Sequence, residues 1–187
     1  MATIRGGNGD DRINTGSGED YAYGGGGDDN INGAADADGT YTYYESSGTQ
    51  WLYGGEGNDT IFGGTDVDNI WGDGGNDYVH GLEGNDTLKG GDGNDQINTG
   101  SGEDHAFGES GDDNINGILN SDGTYRYSES SGTQWLYGGE GNDTIFGGTD
   151  VDNIEGGTGN DYLSGLEGND VINGGEGEDE LWGDEGN

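Results

Sequence analysis

The residues of this chain most able to do chemistry are carboxylates set at a fixed pitch. Asp stands at Asp11, Asp20 and Asp29, then at Asp59, Asp68, Asp77, Asp86, Asp95, Asp104 and Asp113, then at Asp143, Asp152, Asp161, Asp170 and Asp179. Within each run the spacing is nine residues. A polyelectrolyte needs charge but not phase, so the phase asks for a ligand. A hard divalent cation fits: Ca2+ takes about six to eight oxygens, from carboxylates and backbone carbonyls, in flexible geometry. A Gly-rich turn exposes carbonyls and adds one carboxylate, which is too few. Two stacked turns supply enough, with two Asp to balance the ion. Mg2+ suits the pattern less well, because it keeps its waters and demands tight octahedral geometry.

Other chemistries find no footing. There is no Cys, hence no disulfide and no thiolate metal site. His80 and His105 are 25 residues apart, without an HExxH, and both are expected to face solvent. No Gly-x-Ser-x-Gly elbow and no Walker-type loop is present. Carboxylates are so numerous that a glycosidase-like pair could be drawn anywhere, so none is meaningful. The expectation is a chain with no catalytic residues that is not an enzyme.

The elements that must position the carboxylates follow from the same repeat. Fifteen clean nonapeptides can be read, such as "GGEGNDTIF" at 54–62, with Asp at position six and an aliphatic residue at position eight. Positions seven to nine alternate outward, inward, outward, which predicts a very short strand with one side chain facing in. Positions one to six predict a Gly-rich turn. Strand and turn alternating at fixed length describe an all-β fold: a right-handed parallel β-roll, a β-solenoid with two nonapeptides per coil. Nine to ten coils at about 4.8 Å each make a rod of roughly 45 Å. Stacked turns then belong to nonapeptides n and n+2. Uninterrupted blocks of three, seven and five repeats give at least nine complete two-Asp sites, and nine divalent ions would cut the formal charge from −36 to −18.

A second period of 84 residues encloses the first, and residues 45–70 are identical to 129–154. The organisation expected is a single module over 1–187. It comprises two 84-residue units (6–89 and 90–173), a partial C-terminal unit (174–187), and degenerate or inserted segments at 33–53 and 117–137. In each segment the last nine residues, "ESSGTQWLY", keep Gly48 at position four and Leu52 at position eight, with Gln50 where Asp is expected. The first nine, "GAADADGTY", are read as a disguised repeat with Asp38 at position six. The result is either a bulged coil or a projecting aromatic hairpin. "DADG" at 36–39 reads as a turn, since no helical pattern flanks it as an EF-hand would require.

Composition explains why a ligand is needed. Gly supplies 47 of 187 residues, and forty acidic residues face four basic ones. Leu, Ile, Val and Phe make up about one residue in seven, a level at which a highly charged chain stays unfolded unaided. Two inward apolar side chains per coil do not offset the backbone entropy of a Gly-rich coil. The polyanion should repel nucleic acid and anionic membranes, and no apolar run approaches a membrane span. The repeat runs to the final "GDEGN", so a longer array is expected, with uncapped ends open to end-to-end self-association.

G-G-x-G-x-D-x-U-x resembles the RTX, or haemolysin-type, calcium-binding repeat. Fifteen tandem matches make the likeness specific. It implies that the fifteen position-six Asp are side-chain ligands of multiple Ca2+ ions. It also implies that carbonyls of turn positions one to four complete each shell, among them Gly54, Glu56, Gly57, Gly72, Gly74, Gly75, Gly138, Glu140, Gly141, Gly156, Thr158 and Gly159. The family is typically secreted by a type I route and folds outside the cell, so the implied context is a secreted bacterial adhesin, toxin, surface-layer protein or exoenzyme. Thr15, Thr99, Glu109, Leu82 and Leu166 depart from the pattern by replacing turn glycines, as do Asp66 and Asp150 at position four. The alternative function is an adhesin module in which Tyr41, Trp51, Tyr53, Trp71, Tyr125, Trp135 and Tyr137 contact a carbohydrate or cell surface. Phe62 and Trp182 are also placed outward. The reading preferred is that the aromatics cover the coil that the segment distorts.

Overall fold

The computed structural model describes residues 1–35, 41–43, 46–119, 125–127 and 130–186; at 34, 35, 41–43, 118, 119 and 125–127 it describes the backbone only. Two nine-stranded parallel sheets face each other, and the chain alternates between them. The first runs in order Thr3–Asn8, Asp20–Gly26, Gln50–Glu56, Asn69–Gly74, Thr87–Asp92, His105–Ser110, Trp135–Glu140, Asn153–Thr158 and Val171–Glu176. The second runs Arg12–Ile13, Asn30–Ile31, Thr60–Gly64, Tyr78–Glu83, Gln96–Ser101, Asn114–Ile115, Thr144–Gly148, Tyr162–Leu166 and Glu180–Trp182. This is the parallel β-roll that the repeat predicts, with one nonapeptide per sheet in each coil.

Position eight builds the core. Leu52 pairs with Ile70 in the first sheet and Ile61 with Val79 in the second, and all four are fully buried. Each sheet contributes one inward side chain per coil, so the hydrophobic core is two single files: Ala22, Leu52, Ile70, Leu88, Ala106, Leu136 and Ile154 against Ile13, Ile31, Ile61, Val79, Ile97, Ile115, Ile145 and Leu163. Burying an Ile or Leu is worth about 1.5–3 kcal/mol.

Most strands of the roll are longer than three residues. Most have five or six and continue into the next repeat through positions one to three, as Asn69–Gly74 does. Position-two residues are in register across coils, with Gly55, Asp73, Gly91 and Glu109 following one another. The turn proper is therefore shorter than six residues. At position two the backbone has positive φ in most repeats (Gly64 and Gly148 are exceptions), even where the residue is not Gly: Asp73 at 75°, Leu82 at 79°, Glu109 at 80° and Leu166 at 68°. A left-handed conformation costs a non-glycine residue about 1–2 kcal/mol. The extra chain entropy of glycine costs only about 0.5–1 kcal/mol. Leu82→Gly is therefore expected to raise stability by about 0.5–1 kcal/mol, read as an increase in the Tm of the calcium-loaded chain.

The 21-residue segments divide differently from the disguised-repeat expectation. Their last nine residues are a true half-coil: Leu52 pairs with Ala22 and Leu136 with Ala106. Their beginnings form antiparallel pairs outside the roll, Gly33–Ala35 with Tyr41–Tyr43 and Gly117–Leu119 with Tyr125–Tyr127. The hairpin alternative therefore holds, and "GAADADGTY" is not a coil. An antiparallel hairpin satisfies its own backbone groups, so the roll closes beneath it with stacked residues 30 apart instead of 18. "DADG", with Asp38, lies wholly outside the described residues, but the flanks at Ala34 and Ile118 are strands.

Candidate metal centre

Each coil has two turns, so the position-six residues form two rows. The row entering the second sheet is Asp11, Asp29, Asp59, Asp77, Asp95, Asp113, Asp143, Asp161 and Asp179. The row entering the first sheet is Asp20, Gln50, Asp68, Asp86, Asp104, Gln134, Asp152 and Asp170. Except at the ends (Asp11, Asp170 and Asp179 are half-buried) these side chains are no more than 3% exposed.

One carboxylate oxygen has a fixed role. Oδ1 of Asp77 accepts the backbone N–H of Asp59 at 2.7 Å, and Oδ1 of Asp86 accepts that of Asp68 at 2.8 Å. The same bond climbs the row into the second sheet without a break, including across the hairpins, from Asp29 N–H to Asp59 (2.6 Å) and from Asp113 N–H to Asp143 (2.9 Å). The other row has three such Asp–Asp steps, at 68–86, 86–104 and 152–170. The two steps over the hairpins add to the nine pairs counted from uninterrupted repeats.

The other oxygen has no protein partner. Oδ2 is buried and without a hydrogen bond in Asp29, Asp59, Asp68, Asp77, Asp86, Asp95, Asp104, Asp113, Asp143, Asp152, Asp161 and Asp170. It occupies the space that a side chain at position one would fill. A Cβ on Gly63 would lie 2.6 Å from both Oδ2 of Asp68 and the carbonyl oxygen of Gly81 in the next coil, and one on Gly81 would meet Asp86 and the Thr99 carbonyl in the same way. At these positions glycine leaves the room for this convergence; ahead of Asp104, whose Oδ2 is likewise buried and unpartnered, position one is Thr99. Burial, reinforced by repulsion from the neighbouring Asp and opposed by the Oδ1 hydrogen bond, pushes the carboxyls of Asp59 and Asp77 up to about 7 and that of Asp113 to about 8. Burial raises Asp86 to about 8, Asp68 and Asp152 to about 7, and Asp95, Asp104 and Asp143 to about 6.

Repeated, buried, unpartnered carboxylate oxygens beside carbonyl oxygens fit a hard cation. Among the described residues no three His, Cys, Asp or Glu side chains converge. The donor set is thus at most two carboxylates plus carbonyls, which suits Ca2+ and not the nitrogen and sulfur preference of Zn2+. The carbonyls divide by position. Those of Gly54, Gly72, Gly138 and Gly156, at position one, reach the glycine cradles of the preceding coil. Those of Glu56, Gly74, Glu140 and Thr158, at position three, each accept a ladder N–H, from Gly27, Gly57, Gly111 and Gly141. Those of Gly57, Gly75, Gly141 and Gly159 lie against the position-four glycine one coil on.

The family model described as RTX calcium-binding nonapeptide repeat matches residues 5–39, 46–79, 71–106, 90–117, 130–163 and 155–187, well over half of the chain. The chain belongs to the RTX calcium-binding repeat family. No curated protein matches it.

Several departures from the RTX repeat acquire roles in this frame. Asp66 and Asp150 at position four accept the N–H of Gly48 (2.8 Å) and Gly132 (2.9 Å) one coil earlier. Asn at position five caps the turns from outside, as Asn58 does for Asn76 N–H and Asn76 for Asn94 N–H, both at 2.8 Å. Sequence reasoning passed over this row, although the recurring Asn before Asp was its signal.

The aromatic residues on the first sheet of the RTX roll stack on one another. Tyr53 lies between Tyr23 (4.9 Å between centroids) and Trp71 (4.5 Å), with planes 5° apart. Trp51 stacks on Tyr21, Trp135 on His105 and Tyr137 on Phe107, at 4.7–4.9 Å. Arg5 caps Tyr23, and Lys89 lies over Phe107. The side chains of Tyr41 and Tyr125 are outside the described residues. Two expectations need correction on the second sheet. Phe62 points outward from its coil yet is buried, because Gly33 at the base of the hairpin lies against its ring. His80 does not simply face solvent: it is half-buried, stacks on Phe62 at 5.9 Å and accepts the Leu82 N–H at Nδ1. Burial lowers its pKa to about 4, so it stays neutral. His105 is exposed.

Proposed function

We propose that this chain is a single calcium-dependent folding module, built of units 6–89 and 90–173 with a partial third. In it, Ca2+ shared between stacked turns converts a disordered polyanion into a rigid rod. The observation that carries this reading is the inward column of carboxylate oxygens without protein partners. The fifteen position-six Asp supply the side-chain ligands, and position-one carbonyls are the nearest backbone donors. Bound ions would neutralise the column and bridge its oxygens. The chain's own part is to bury the carboxylates, fix Oδ1 with a ladder hydrogen bond, and in most repeats keep Oδ2 free by placing glycine at position one.

The context proposed is a secreted bacterial protein, an adhesin, toxin, surface-layer protein or exoenzyme exported by a type I route. Calcium is scarce inside such a cell and plentiful outside, so export and folding would be coupled. The module itself is not an enzyme, in keeping with a family that is structural. Neither nucleic acid nor an anionic membrane suits its charge of −36. The carbohydrate-binding alternative is less well supported. A sugar needs an open ring face, and Tyr23, Tyr53 and Trp71 spend their faces on each other.

Circular dichroism during a Ca2+ titration tests the proposal. The chain in EGTA is expected to lack β-structure at pH 8, to gain it cooperatively as Ca2+ reaches about 10⁻⁴–10⁻³ M, and to lose it again on chelation. A chain already β-rich in EGTA at pH 8 would sink the idea.

A further inference from the structure

The row of turns entering the first sheet carries Gln50 and Gln134 where every clean repeat has Asp. Their backbone groups behave as the Asp do: Gln50 N–H donates to Oδ1 of Asp68 and Gln134 N–H to Oδ1 of Asp152, both at 2.8 Å. Their side chains do something no Asp can. Nε2 of Gln50 lies 2.9 Å from the Gly48 carbonyl oxygen, 3.4 Å from that of Ser47, and 2.9 Å from that of Gly18 in the preceding coil. Nε2 of Gln134 repeats the arrangement with Gly132 (3.1 Å), Ser131 (3.2 Å) and Gly102 (3.0 Å). Both side chains are fully buried, and both Oε1 atoms lack a hydrogen-bond partner.

We propose that the Gln50 and Gln134 amides are built-in substitutes for an ion, joining the carbonyls of two stacked turns so that these junctions close without calcium. Three carbonyl oxygens within reach of one point require something positive there, a cation or N–H donors. Turned the other way, the amide would set its own oxygen against three others. Glutamine has the necessary length. Compared with Asp it carries an extra methylene, which takes the terminal nitrogen beyond the carboxylate position to carbonyls at positions three and four. Charge agrees, since each junction retains a single carboxylate, Asp20 or Asp104, where an ion would prefer two. Both substitutions fall in the coil that carries a hairpin. The amide thus gives the chain a staple that metal loss does not remove, next to the insertion that most disturbs the stack.

This inference rests on the calcium reading, because it assigns ions to the other junctions and none to these. The test counts Ca2+ bound per full-length chain by equilibrium dialysis and metal analysis under saturating Ca2+, with circular dichroism confirming the roll. The double variant Gln50→Asp/Gln134→Asp is expected to bind at least one further ion per substituted glutamine. An unchanged count overturns the proposal. Gln50→Leu/Gln134→Leu is expected to keep the wild-type count but melt at a lower temperature, with its carbonyls left unpaired. A lower count would mean that the amide oxygen had been a ligand, and an unchanged Tm would mean that the amide joins nothing; either overturns it. Failure of the calcium reading itself would appear separately, as a wild-type chain that binds no Ca2+.

Discussion

With calcium removed by chelator, lowering the pH from 8 to 4 is expected to fold the chain. In the roll, burial raises the carboxyls of Asp59, Asp68, Asp77, Asp86 and Asp113 to about 7–8, against 3.8 for an ordinary Asp. A raised folded-state value means that the folded chain binds protons more tightly than the unfolded one. The stabilisation is therefore complete below pH 3.8 and is lost as pH rises through about 6–8. The structural counterpart is direct. A protonated Oδ2 of Asp68 becomes a donor, with the Gly81 carbonyl beside it to accept. Protonation also relieves the charge of −36. With saturating Ca2+ the sign changes: the carboxylates must be ionised to bind metal, so the loaded roll persists at pH 8 and its apparent affinity for Ca2+ falls as the pH drops. Circular dichroism against pH at low protein concentration, in EGTA and in Ca2+, measures both. A chelated chain that stays disordered at pH 4 would show that neutralising the column is not enough and that the bridging geometry of the ion is essential.

Much of this was legible in the sequence because the repeat encodes two independent things with one period. Position eight fixes the core file and position six fixes the carboxylate row, so an error in phase would have broken both; Ile61 and Asp59 fell where the nonapeptide puts them. What was not legible depended on contacts outside the period. The stretch 33–41 carries a plausible Asp at position six, and composition does not distinguish a degenerate coil from an insertion. Pairing does, because Gly33–Ala35 bonds antiparallel to Tyr41–Tyr43. Phe62 looked outward by alternation, and alternation cannot reveal a hairpin lying over it. Gln50 read as a lapse from the pattern until the three carbonyls around its amide were seen. The strand lengths were underestimated for a related reason: glycine was taken to mean turn, whereas position two holds parallel register with positive φ.

Loss of one carboxylate should cost most where the row is shortest. Asp86 stands in the middle of the run Asp68, Asp86, Asp104, bounded on either side by Gln50 and Gln134. Asp86→Ala removes the acceptor of the Asp68 N–H, which is buried and has no other carboxylate within the ladder, at a cost of roughly 1.5–3 kcal/mol for a charge-assisted bond. The N–H of residue 86 keeps its bond to Asp104, but both junctions of that run, 68–86 and 86–104, lose one of their two carboxylates. The long row offers more insurance: Asp77→Ala likewise touches two junctions, but several Asp–Asp steps remain on either side of it in the same row. Asp179 closes only the step from Asp161 and is half-buried, so Asp179→Ala should be the mildest of the three. The expected order of Ca2+ midpoints in the folding titration is Asp86→Ala highest, Asp77→Ala next and Asp179→Ala close to wild type. Because each coil rests on its neighbours, the central variants should also lose cooperativity, splitting one transition into two. Equal midpoints for Asp86→Ala and Asp179→Ala would mean that stacked turns bind their ions independently, and that the roll is held by its apolar files instead of by its carboxylate rows.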